Sequence, residues 1–147
     1  MVKKLRGLAP LLVIVIGLLV LFYPTISNFL VMKNASRVVS NYDAAVEALS
    51  DEEYRSMIDA AHAYNTRALT GAVNTEATDA EYMKLLNLAG DGMMGYITVP
   101  KLEETLPIYH GTSEKVLQSG IGHLEQTSLP VGGASTHAAL SGHRGLP

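Results

Sequence analysis

From Gly7 to Tyr23 the chain runs GLAPLLVIVIGLLVLFY without one charged side chain. As a helix this stretch reaches roughly 25 Å, and Pro24 to Leu30 complete a crossing of the roughly 30 Å hydrocarbon core. No polar face interrupts it, which argues against a helix buried on one side only. The pattern predicts a membrane anchor over residues 7–30. A basic tail over residues 1–6, with Lys3, Lys4 and Arg6, places the N-terminus on the cytoplasmic side and the remainder outside the cell; Lys33 and Arg37 oppose that bias in part. A cleaved signal peptide would have a shorter apolar core and a small-residue cleavage site, which Tyr23-Pro24-Thr25-Ile26 does not offer.

After Ala35 the period changes. Val38, Tyr42, Ala45, Val46 and Leu49 recur at helical spacing. Ser50-Asp-Glu-Glu53 is a capping box, so a second helix is predicted from there, with Tyr54, Met57, Ile58, Ala61 and Tyr64 on one face and its end near Gly71. Residues 72–78 read as a polar linker. Thr78 to Glu81 repeats the capping pattern before a short helix over residues 79–88, closed near Gly90. Residues 35–90 are therefore expected to form a helical stalk. Beyond Gly92, residues 94–99, 106–109 and 138–140 are strand candidates, Ser113 to Gln118 a helical turn, and Gly132-Gly133 a tight loop. Residues 91–147 thus read as the opening of a β domain, and the chain as α+β behind an N-terminal transmembrane helix. Short strands without closing partners leave open edges, so the β part is expected to be loosely held.

The charge distribution agrees with this layout. All 14 acidic residues follow position 40, and past the basic tail eight basic residues face those 14, a formal charge of −6. An acidic ectodomain carries no basic footprint for nucleic acid. The chain has no cysteine, which removes disulfides, thiolate metal sites and any thiol nucleophile. Its five histidines, His62, His110, His123, His137 and His143, lack the short spacing of an HExxH-type site. A metal-dependent hydrolase is accordingly a minor reading, and no cofactor is implied. Loop histidines commonly do no more than hydrogen-bond a backbone carbonyl, and His62 reads as a surface or packing residue.

Five segments change the reading for one of these histidines. They are Gly95 to Lys101 (GYITVPK), Leu106 to Thr112 (LPIYHGT), Gly120 to Leu124 (GIGHL), Leu129 to Gly133 (LPVGG) and Ser141 to Pro147 (SGHRGLP). In this order they resemble the first half of a sortase catalytic domain, most closely the class C pilin polymerases of Gram-positive bacteria. The resemblance implies a sortase-type β-barrel, of which this chain holds the first strands, and makes His143 the catalytic histidine. His137 is read as structural. The family's chemistry, by the same resemblance, begins when a cysteine thiolate attacks the Thr–Gly bond of an LPxTG-like sorting signal to form a thioacyl-enzyme. The histidine protonates the leaving amine, an arginine steadies the oxyanion, and a pilin lysine resolves the intermediate as an isopeptide bond. The implied partners are the membrane and pilin subunits bearing such signals.

Of the three groups, this sequence holds the histidine; the family's TLxTC strand and later arginine would follow Pro147, and Arg144 is not promoted to that role. The stretch corresponding to the class C lid, Thr70 to Asp79, contains no DPF or DPW motif. The expectation is a truncated class C sortase without transpeptidation of its own. The alternative is a catalytically inactive membrane-anchored binding or remnant protein.

Overall fold

The computed structural model describes residues 2–70 and 76–143. The chain divides into two compact units, Met1–Asn34 and Ala35–Pro147.

In the first unit, residues 10–34 belong to a long helix, α1, which runs from Val2 to Glu47 with Pro10 and Pro24 inside it. The sequence predicted an anchor and a separate stalk helix; the structure has one helical element over both. Leu12, Ile16, Leu19, Leu21 and Phe29 are all exposed. This one helix is long and apolar enough to cross a membrane.

In the second unit, the end of α1 turns amphipathic. Tyr42 is buried with Met93 and Tyr109, and Val38, Val39 and Val46 pack against that cluster. The Tyr42 hydroxyl donates to the Met94 carbonyl at 2.8 Å, and burial pushes its pKa up to about 12. Ser50 then caps α2 (Asp51–Leu69) as the sequence predicts: its Oγ accepts from the Glu53 amide, and its own amide donates to the Glu53 carboxylate at 2.9 Å. Ala61 and Tyr64 face the core, joined by Tyr82, Leu86, Met94, Ile108 and Leu129. Tyr54, assigned to the same face, is exposed.

The next helix departs from expectation. α3 runs from Glu76 to Tyr82, so Thr78 lies inside it instead of capping it, and residues 76–78 are helical rather than linker. It also stops six residues before Leu88. After Tyr82 the backbone tightens, with the Lys84 amide donating to the Glu81 carbonyl, and Leu86 adopts a φ of +63°. Tertiary contacts explain the break, because the freed Leu85 carbonyl is taken by the His110 ring at 2.8 Å. The expected helix end at Gly71 and residues 71–75, half of the Thr70 to Asp79 lid segment, lie outside the described residues. An ion pair between Arg67 and Glu81 joins α2 to α3 beyond that gap.

The sheet has four strands in the order β1 (Met93–Val99), β2 (Glu104–His110), β3 (Ile121–His123) and β4 (Leu140–Ser141). Pro100 stops β1 and opens a 3-10 turn, from which β2 returns antiparallel. α4 (Glu114–Ser119), capped by Ser113, carries the chain over to β3, which lies parallel to β2. β4 then pairs antiparallel with β3. β3 is a correction to the sequence reading, which treated GIGHL as a turn, and β4 lies two residues later than the first position of its candidate. Among the described residues β1 and β4 are the sheet edges. The result is a partial sheet on a helical layer.

Candidate active-site edge

The glycines of GIGHL explain how β3 reaches its place. A Cβ on Gly122 would stand 2.4 Å from the Gly111 carbonyl oxygen, and one on Gly120 would stand 2.6 Å from that of Pro107. Only glycine lets β3 lie this close to β2 and the turn after it. Gly111 forms that turn with a φ of +73°.

His123, the last residue of β3, is fully buried and bonded at both ring nitrogens. Nε2 lies 2.8 Å from the Ser128 carbonyl, which can only accept, so Nε2 carries the proton. Nδ1 is 2.9 Å from the Tyr82 hydroxyl, which in turn accepts from the Gly111 amide at 3.0 Å. Burial holds the His123 imidazole below its ordinary pKa, opposed in part by the bond to Ser128. Burial also raises the Tyr82 phenol, so both partners stay neutral. His110 packs edge-on to Tyr82, with ring centroids 4.8 Å apart. Its Nδ1 and Nε2 each lie 2.8 Å from a carbonyl oxygen, those of Gly92 and Leu85. These two histidines hold backbone together, as the sequence reading expected of loop histidines generally.

His143 is placed differently. It stands two residues past β4, exposed to solvent. A Cβ on Gly142 would sit 3.6 Å from Ile121 Cγ1, an ordinary contact, so β4 continues along β3 without crowding. Residues 144–147, which complete the SGHRGLP motif and include Arg144, lie outside the described residues.

The strand that leads to His143 is held through the segment before it. The Leu124 amide donates to the Ala139 carbonyl at 3.0 Å, the Ser128 amide to the His137 carbonyl at 2.9 Å, and the Ala139 amide to Thr127 Oγ1 at 3.0 Å. His137 is exposed and joins this network through its backbone, its amide donating to Ser128 Oγ. On the helical side, Asn65 of α2 pairs with both backbone groups of Leu129. His62 lies beside the loop, with Cε1 3.6 Å from where a Gly133 Cβ would be.

Asn65, Tyr82, Thr127 and Ser128 are site supports that the sequence reading missed. Asn65 had a legible signal: it is a polar residue on the apolar stripe, four positions after Ala61. Among the described residues no three histidine or acidic side chains gather as metal ligands, so the histidine-metal reading has no site there. An open groove lined by Glu52, Glu53, Ser56, Met57 and Lys84 shares no residue with the His143 edge.

Comparison with known proteins agrees with the motif order. Residues 97–147 match the sortase domain family. Sortase C1 from Streptococcus agalactiae is 46% identical, with a TM-score of 0.70, over 76% of this chain and 59% of that one. Sortase C from Streptococcus pneumoniae is 32% identical, with a TM-score of 0.59, over 76% of this chain and 57% of its own. Clostridium perfringens sortase C, solved in an intermolecular complex with the C-terminal cell wall sorting signal motif, is 34% identical, with a TM-score of 0.61, over 76% and 54%. This chain thus spans somewhat more than half the length of these relatives. No curated protein matches it. Motif order, sheet and similarity converge: residues 97–147 match the sortase domain family, and the structural neighbours of the chain are class C sortases.

Proposed function

We propose that this chain supplies the histidine-bearing part of a membrane-anchored class C sortase, a cysteine transpeptidase that joins pilin subunits. The observation carrying this reading is His143: it follows a strand edge, exposed, in a Ser-Gly-His-Arg motif, while the buried histidines of the same sheet are committed to backbone. The anchor over residues 7–30, with the 1–6 tail cytoplasmic, would put residues 35–147 outside the cell.

In this reading a cysteine thiolate attacks the threonine carbonyl carbon of an LPxTG-like signal. The Thr–Gly C–N bond breaks, and His143 gives its proton to the departing glycine amine. A pilin lysine amine then attacks the thioester and gives its proton back to His143, the C–S bond breaks, and an isopeptide bond and a free thiolate remain. The cell wall sorting signal seen with the Clostridium perfringens relative supports this substrate class. With no cysteine among its 147 residues, a polypeptide of this sequence alone forms no thioacyl-enzyme. That observation favours, as second reading, a catalytically inactive membrane-anchored protein that binds a sorting signal or a complete sortase.

The test is to read the locus past codon 147 and assay the full product with an LPxTG peptide by intact mass. A peptide–thioester adduct on a cysteine encoded there, reduced by roughly 10²–10⁴-fold in His143→Ala, supports the transpeptidase. Peptide binding with no adduct supports the second reading.

A further inference from the structure

The contact between α2 and the loop over residues 124–139 ties the stalk to β4, the strand that leads to His143. Asn65 is 1% exposed, and its side-chain amide meets Leu129 as a neighbouring strand would. Nδ2 donates to the Leu129 carbonyl at 3.1 Å, and Oδ1 accepts from the Leu129 amide at 2.6 Å. Leu129 is itself buried, wedged into the core with Ala61 and Tyr64. Ser128, one residue before it, bonds the His123 ring and both backbone groups of His137. Thr127 holds the Ala139 amide, directly before β4. The placement of β4 on β3 is therefore fixed through residues 127–129 at one end and by the Gly122–Ser141 and His123–Leu140 pairs at the other.

We propose that Asn65 is a positioning residue for His143: it locks residues 127–129 to the stalk and so sets where β4 ends. A leucine would fill the same space but leave the buried Leu129 amide without an acceptor, and the Leu129 carbonyl with the Val131 amide alone. The functional meaning of the inference rests on the reading of His143 as the reactive histidine, but its test uses no turnover. Failure of the sortase reading would leave the result standing.

The experiment compares Asn65→Asp with the wild-type full chain in lipid nanodiscs by amide exchange and by the His143 ring resonances. An aspartate carboxylate still accepts from the Leu129 amide but repels the Leu129 carbonyl; once protonated, it donates to that carbonyl again. At about pH 8 the variant is expected to exchange roughly tenfold faster over residues 127–141, with shifted His143 resonances and unchanged α2 and β1–β2. Lowering the pH through the range of a buried carboxyl, which burial raises, should restore the wild-type pattern at the same pH. Normal β4 and His143 signals in the variant overturn the proposal. So does a disturbance equally large in β1 and β2, or one that acid does not reverse. Should the variant not fold at neutral pH, wild-type exchange decides: the Leu129 amide and the β4 amides must open as one unit. Opening of β4 while Leu129 stays protected refutes the proposal.

Discussion

His123 ends β3, and His143 stands two residues past β4, the strand paired with it, yet the two live under opposite physical rules. At His123 every polar atom has a fixed partner, water is excluded, and burial keeps the ring neutral. At His143 the ring stands in solvent beyond the last bonded pair of the edge. A histidine that must pick up and release a proton needs the second environment, and one that must hold two segments together needs the first. The five histidines are thus sorted by what surrounds them.

The contrast can be broken most sharply by removing each ring in turn. His143→Ala in the full product is expected to lower thioacyl formation by roughly 10²–10⁴-fold. The midpoint of urea unfolding should stay unchanged, as for other exposed positions. His123→Ala should do the reverse in the 147-residue chain, costing about 2–4 kcal/mol by urea unfolding, because Tyr82 and the Ser128 carbonyl lose their partner inside a void. Equal stability loss in both variants would erase the distinction.

The glycines sharpen it next. Gly122→Ala forces a methyl group against the Gly111 carbonyl, where 2.4 Å is available. About 1–3 kcal/mol of destabilisation is expected, with accelerated amide exchange in β3. Gly142→Ala meets only Ile121 at 3.6 Å and should be tolerated.

Acid should also discriminate. The folded-state pKa of His123 lies below its ordinary value, so below about pH 6.5 the unfolded chain binds a proton that the folded chain resists. Stability should fall as pH drops through that window, by up to about 1.4 kcal/mol per pH unit for one group, and the fall should vanish in His123→Ala. The smallest effect concerns the helical layer alone: Ser50→Ala removes the cap of α2 and should cost about 1 kcal/mol in thermal or urea unfolding, without touching either histidine.

Local chemistry was legible wherever neighbours in sequence decide the outcome. The uncharged run, the Ser50 capping box, the helical turn near Ser113 and the stop of β1 at Pro100 all depend on residues within a few positions of each other. The motif order pointed to the sortase family, and the His143 assignment came from resemblance to its motif. Three features were beyond reach. α3 ends at Tyr82 because a ring on β2 captures the Leu85 carbonyl, although the local sequence would continue the helix. β3 is too short for any alternating pattern, and it exists because two glycines admit it beside β2. Asn65 stands out as a polar residue on the apolar stripe, but its partner is fixed only when residue 129 folds back onto it. Each is a contact between segments far apart in the chain, where the partner that satisfies a buried polar group comes from the fold. Sequence alone determined which residues were able to form helices, caps and strands; tertiary structure decided which histidine rings are spent on backbone and which are left in water.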